Sequence, residues 1–420
     1  MQSNKSKSVI VSAELRPGLA LLSETFYDHS NMWHGLTALV PLVSWHARRG
    51  CRPAPARWAL FHHGEVRSGM SGWLMSLVEA ATGAPVAVEE FGPAPVCFEE
   101  AVVSRRNLAG MSTERLLEAF DFIRCKARAK CGVADAPGAG NEATNLRVTI
   151  LFRTGGRSFK DEAGVERVFR KECTRVAGPS CMLTVARSDN LTFCDQVRLL
   201  SRTDVFISAH GAQVTNQLFM DRNSSVMEFY PMGWRQRAAG GQFVYRWMAS
   251  RAGMRHEGSW WDPAGDPCPD GNPDIFSCYK NRRIGMDEAA FTEFAAKVFT
   301  ANKERKSLIP NLRNPMGWRQ RAAGGQFVFR WMASRAGMRH EAHGGTPLAT
   351  LALMIQTKRV GGTYMKASHG LLFVRATSPS SVSSGSPGTA PSILCTKRHG
   401  TMVATRSGEF AGPRALRYGD

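Results

Sequence analysis

A chain of 420 residues, 43% of them hydrophobic, can bury one large core or two ordinary ones, and its formal charge of +19 invites a nucleic-acid partner. The charge is unevenly placed: residues 1–300 hold 36 Lys and Arg against 31 Asp and Glu, a net of +5, whereas residues 301–420 hold 18 against 4, a net of +14. The excess sits in a tail and not on a folded basic face with interleaved aromatics, which argues against nucleic acid as the main partner.

The opening MQSNKSKSVIVSAELRPG has no signal-peptide pattern, and residues 1–24 read as an N-terminal remnant. No apolar run reaches the roughly 18–20 residues of a membrane helix, so any membrane anchor is expected to be absent from this sequence. Residues 25–140 read as a first α/β unit. RWALFHH, PVAVEEF and VCFEEAVVS are strand-like, while SGWLMSLVEAAT and STERLLEAFDFIRCKARAK have helical spacing. The Gly-rich CGVADAPGAGNEATN then reads as a connector.

Residues 145–305 alternate more cleanly. LRVTILFR, CMLTVAR, DVFISAH and SSVMEFY read as strands, separated by the helical DEAGVERVFRKECTRV, TFCDQVRLLSR and GAQVTNQLFM. Strands separated by single helices predict right-handed βαβ units and a parallel sheet. The fold class is therefore α/β, with two Rossmann-type halves facing a cleft.

A near-perfect repeat follows: Pro231–Glu257 recurs as Pro315–Glu341 and differs only at Tyr245 and Phe329. Structural repeats diverge and need about three copies, so the second copy reads as a recent duplication or a gene-model error. With the Ser/Pro/Gly-rich stretch SPSSVSSGSPGTAPS, it makes residues 306–420 a low-complexity tail, expected to be disordered. Ten cysteines show no metal-ligand spacing. Cys125 with Cys131, or Cys268 with Cys278, would close loops in an oxidising compartment; buried free thiols are the other reading. Asn190 and Asn223 each open a glycosylation sequon.

The strand ends carry the chemistry. Arg153 ends LRVTILFR, and Arg157 follows a Gly-Gly turn; guanidinium groups suit bidentate phosphate contacts. His210 ends DVFISAH, and Gly211 and Ala212 open the next helix, with Thr215 and Asn216 on its first turns. Free N–H groups and the helix dipole there suit a pyrophosphate. Glu228 ends the following strand, where a carboxylate suits the ribose hydroxyls.

The segment DVFISAHGAQVTNQLFMDRNSSVMEFYP resembles the HGAGLTN region of glycosyltransferase family 61, and the likeness extends over about residues 25–300 through ILFRTGGRSF, VCFEEAVVS and, faintly, NMWHGLTALVPL. Downstream, GWRQRAAGGQFVYRWMASRAGMRHEGSWWDPAGDPCP with SCYKNRRIG is similar to the plant and algal branch near the EGF-domain-modifying enzymes. The resemblance implies a GT-B fold, here with its first half truncated, and a UDP-sugar donor. It implies inverting transfer to a hydroxyl of an acceptor protein or polysaccharide, no obligatory metal or other cofactor, and residence in the Golgi or endoplasmic reticulum lumen. Two positions depart from the family. Gln213 stands where HGAGLTN has its second Gly, and the acid usual one turn after the N-terminal His is replaced, as HGLTALV offers Ala38 and Val40. An inverting transfer needs a base, and His34 is the candidate in that neighbourhood. The departures motivate an alternative, a degenerate member that binds a nucleotide-sugar or glycan without turnover. The net charge alone motivates another, a basic nucleic-acid-associated protein.

Overall fold

The computed structural model describes residues 10–308 apart from 13, 27–28, 64, 92–95, 105–107, 134–144, 235–242, 266, 270 and 273, together with the backbone of 392–398 and 401–407. The second repeat copy, Pro315–Glu341, lies outside the described residues. In the described part of the tail, β12 (Ser392–Arg398) and β13 (Thr401–Ser407) pair antiparallel, and β13 pairs with β1 (Ile10–Ser12).

The first half is built on β2 (Glu14–Glu24), β3 (Pro55–His62), β4 (Glu65–Arg67), β5 (Ala87–Val88) and β6 (Val96–Ser104). The order is β4-β3-β2-β6, with β5 beside β3. Its helices are α1 (Met32–Arg48), α2 (Gly72–Thr82) and α3 (Thr113–Lys130). Each starts on a side-chain cap: Asn31 accepts from Trp33 N, Ser71 from Leu74 N and Ser112 from Arg115 N. Glu14–Glu24, read from sequence within a remnant, is an inner strand of this sheet, parallel to both β3 and β6. Its Pro17-Gly18 pair masks the strand pattern. The sheet absorbs it as a register shift between Arg16 and Leu19, where Gly18 has φ +79° and donates to Glu99 Oε2 at 2.7 Å.

The second half holds β7 (Leu146–Phe152), α4 (Glu162–Ala177), β8 (Cys181–Arg187), α5 (Phe193–Ser201), β9 (Val205–Ala209) and β10 (Ser225–Tyr230). After these come α6 (Val244–Arg251), β11 (Arg255–Trp261), α7 (Ile275–Asn281) and α8 (Glu288–Leu308). All five strands are parallel in the order β11-β10-β9-β7-β8. The chain steps outward from β7 to β8, then returns to β9 on the other side. That reversal makes the β7/β9 edge the topological switch point, where open α/β sheets bind ligands at their carboxyl ends.

The halves share one core. Leu36, Leu74, Leu77, Phe120 and Ile123 of the first pack with Leu151, Phe206, Val214, Leu218 and Phe219 of the second. The helices α1–α3 therefore fill much of the space between the sheets. Arg124 of α3, itself buried, donates to Leu218 O and Ala252 O at 2.9 Å each, and Arg128 donates to Phe219 O at 2.7 Å. These bonds satisfy carbonyls at the ends of elements in the second half, where cations are favoured. The far face of the second sheet packs under α4 and α8 through Val165, Phe169, Phe291 and Phe299.

Cys131 is bonded to Cys194, not to Cys125, which ties the end of α3 to α5 across the two halves. Cys173–Cys181 and Cys268–Cys278 are also joined, the latter with Cα atoms 6.1 Å apart. Among the described residues no helix is long and apolar enough to cross a membrane.

Candidate active site

Arg153 follows β7 and His210 follows β9, so the two residues face each other across the switch point. Arg153 Nη1 donates to the His210 carbonyl at 3.2 Å. Arg157 sits at φ +63° after the Gly155-Gly156 turn, and its N–H bonds Arg282 O at 2.8 Å. A Cβ on Gly156 would lie 2.9 Å from Lys280 O, so the turn is pressed against the end of α7. The Arg157 guanidinium lies over the Trp234 ring, 5.2 Å from its centroid. Neither arginine makes an ion pair among the described residues. Burial, reinforced by the neighbouring Arg153 charge, pulls Arg157 down to about 10, and burial also lowers Arg153. Two like charges held together away from water are a cradle for an anion.

Gly211 has φ +153°, and a Cβ there would meet Arg153 Nη1 at 2.1 Å. The missing side chain thus makes room for the guanidinium group, which itself faces the cradle. Ala212–Phe219 form a 3-10 helix and not the α-helix expected from GAQVTNQLFM. Its tighter winding turns Thr215 and Asn216 inward, where both are fully buried. Asn216 accepts from Trp73 Nε1 at 3.1 Å and donates to Gln196 Oε1 at 2.8 Å. Asn216 therefore joins the halves, Thr215 is buried beside Tyr245, and of the helix start Gly211 lies against Arg153. Gln213, at the departure from HGAGLTN, donates to Leu151 O and Ser208 Oγ at 3.0 and 2.7 Å and accepts from Ser188 Oγ at 3.0 Å. It laces the carboxyl ends of β7, β8 and β9 together.

Glu228 is also placed differently from a ribose ligand. Its side chain is 1% exposed, His210 Nδ1 lies 2.6 Å from one oxygen, and His256 Nε2 lies 2.8 Å from the other. Burial acts to raise the Glu228 carboxyl, but the two imidazoles outweigh it and hold it at about 2. Burial pushes His210 below the ordinary histidine value against the pull of Glu228, and the two arginines add to that push. The His210 ring stacks on Tyr230, with centroids 4.6 Å apart, and meets Trp234 and Tyr245 at 5.3 and 5.5 Å. His34 stands on the first turn of α1, stacked on Phe26 at 4.4 Å. It is the neighbouring Trp33 whose ring meets Tyr245, at 5.8 Å.

Beside Arg153 opens a cavity of about 440 Å³, lined also by Ser158, Arg187 and Arg283. Arg187 pairs with Glu162, and Arg283 donates to Ser158 Oγ at 3.2 Å and Phe159 O at 2.7 Å. His256, Trp234, Tyr245 and these two arginines were not singled out in the sequence. Asn190 and Asn223 are exposed.

The Glycosyltransferase 61 family model matches residues 32–227, from the start of α1 to the residue before Glu228. An 84-residue stretch is 43% identical to human Protein O-linked-mannose beta-1,4-N-acetylglucosaminyltransferase 2, covering 20% of this chain and 13% of the relative. The Bos taurus protein of that name is 30% identical over 93 residues, or 22% of this chain and 15% of its own length. The Canis lupus familiaris protein is 28% identical over 116 residues, or 28% and 19%. The aligned stretches thus span less than a fifth of these relatives. The parallel α/β fold and its switch-point site are compatible with a glycosyltransferase, the class for which the matching family model and these relatives are named. Residues 32–227, a little under half of the chain, are thus similar to glycosyltransferase family 61.

Proposed function

We propose that this protein transfers a sugar with inversion from a UDP-sugar to a hydroxyl of a protein or polysaccharide, on a GT-B-like scaffold. The observation that carries the reading is the pair Arg153 and Arg157, half-buried at the switch point and in no ion pair among the described residues. A departing nucleoside diphosphate gains negative charge as the glycosidic bond breaks, and preorganised cations stabilise that charge most in the transition state. In this reading the guanidinium groups take the charge without an obligatory metal, so turnover should persist in a chelator. The mammalian relatives are named for N-acetylglucosamine transfer, which makes UDP-N-acetylglucosamine the first donor to try and a UDP-pentose the second. Three disulfides among the described residues suit the oxidising lumen of the Golgi or endoplasmic reticulum.

Calorimetry with UDP tests the cradle. Arg153→Ala should lose on the order of 1.5–3 kcal/mol, about ten- to a hundredfold in affinity. Unchanged binding would remove the basis of the reading. A donor-hydrolysis screen across UDP-sugars then identifies the sugar. One observation favours a second reading, binding without turnover: Gln213 fills the crevice between β7 and β9 where the family has Gly. UDP binding with no hydrolysis of any donor and no transfer would select it.

A further inference from the structure

We infer that His256 is a positioning residue of this site: with Glu228 it forms a buried relay that fixes the proton of His210 on Nδ1 and leaves Nε2 as an acceptor. The inference rests on the donor-site reading for the use His210 is put to, whereas the relay itself rests on geometry. His256, Glu228 and His210 side chains are 4%, 1% and 7% exposed, and they are joined at 2.8 and 2.6 Å. An ionised carboxylate only accepts, so both nitrogens facing it must carry hydrogen: Nε2 of His256 and Nδ1 of His210. A neutral His210 ring then has its lone pair on Nε2, which meets no partner among the described residues. His256 Nδ1, on the far side, also has no partner.

The sheet explains why the second histidine is needed. β11 pairs beside β10 with Val226 opposite His256, and a register shift at the next residue brings the imidazole diagonally onto Glu228. Without that donor the buried carboxylate would keep only His210 and the Tyr230 hydroxyl, too few partners for a full charge in an almost waterless site. The cheaper state is then a protonated carboxyl, whose O–H donates to His210 Nδ1 and drives the histidine proton to Nε2. In that state Nε2 presents a donor in place of an acceptor.

The groups that set this balance come from four elements. Arg153 and Arg157 face His210 from the loop after β7, Glu228 and Tyr230 from β10, His256 from β11 and Tyr245 from α6. Both phenols are held protonated by burial, reinforced by the Glu228 charge, and the arginines stay charged. Neither the phenols nor the arginines therefore exchange protons with the relay in the working range.

Nitrogen NMR of histidine-labelled full-length protein, recorded without ligand from pH 5 to 8, tests the relay. The native spectrum should show His210 protonated at Nδ1 and bare at Nε2. His256→Leu should lose that pattern, or lose it at a pH higher by about one unit or more. His256→Gln, whose amide can still donate to Glu228, should restore it. UDP affinity measured on the same samples should fall about tenfold in His256→Leu and recover in His256→Gln. A native His210 protonated at Nε2 overturns the relay, as does a folded His256→Leu with an unchanged spectrum. Should His256→Leu fail to fold, the native spectrum and the His256→Gln comparison decide. Native protein with the relay tautomer but no UDP affinity would sink the donor-site reading alone.

Discussion

At Gly211 the backbone lies at φ +153°, ψ 178°, a region that only glycine enters without strain. The residue is constrained twice, since the Arg153 guanidinium occupies the place of a Cβ. Gly211→Ala should therefore lose on the order of 1–3 kcal/mol by chemical denaturation and weaken UDP binding by displacing Arg153. Normal UDP affinity in a folded variant would show that Arg153 has no part in the cradle. The buried relay adds a pH dependence whose sign follows from its shifts. His210 is held below its ordinary 6.5, so the unfolded chain takes up a proton that the folded protein refuses once the pH drops under that value. Glu228 is held at about 2 against an ordinary 4.5, so its contribution is complete above 4.5 and is lost as the pH falls to about 2. Both make stability fall towards acid, the carboxylate by on the order of 3 kcal/mol. Glu228→Gln should be less stable at neutral pH and should flatten the part of the urea-denaturation profile below pH 4.5; an unaltered slope would show that the carboxylate is not held by the histidines.

Among the elements, legibility followed chemistry. The strands β7 and β10 were legible because strands buried in parallel sheets are near-continuous apolar runs, and the edge strands β6 and β8 by their β-branched residues between turn signals. Arg153 and His210 were legible with them, since a strand end locates a side chain without any knowledge of packing. β2 was hidden by Pro17-Gly18, whose register shift exists only when β6 is alongside. The inward turn of Thr215 and Asn216 depends on a 3-10 winding that helical spacing does not report. His256 reaches Glu228 through a tertiary register shift, and no local pattern encodes that. The pairing of Cys131 was equally non-local: its partner Cys194 is 63 residues away, on a helix of the other half. A loop of that length stabilises by roughly 4 kcal/mol in the chain-entropy model. Cys194→Ser should thus lose a few kcal/mol and loosen the α3–α5 contact in hydrogen exchange, whereas Cys125→Ser should change little. Peptide mapping that joined Cys131 to Cys125 would contradict this.

For the whole molecule, the repeat poses a question of space. The first copy is committed to the core: Trp234, Tyr245, Met248, Ala249, Ala252 and Met254 are buried, and His256 closes the relay. A second segment of nearly the same sequence offers the same apolar set, yet one packed environment holds one occupant. Its sole difference is Phe329 at the position of Tyr245, whose ring meets His210. The second copy also belongs to the stretch 301–420 that carries +14 of the +19 charge. Deleting Pro315–Glu341 should accordingly leave the midpoint and cooperativity of thermal unfolding unchanged, with UDP affinity within about twofold of the intact chain. A DNA oligonucleotide should bind the intact protein weakly, lose affinity steeply with salt, and fail to displace UDP, because its attraction is to dispersed tail charge and not to the arginine cradle. A large drop in unfolding midpoint on deletion would show that the second copy packs into the fold, and displacement of UDP by DNA would move the anion site from nucleotide-sugars to nucleic acid.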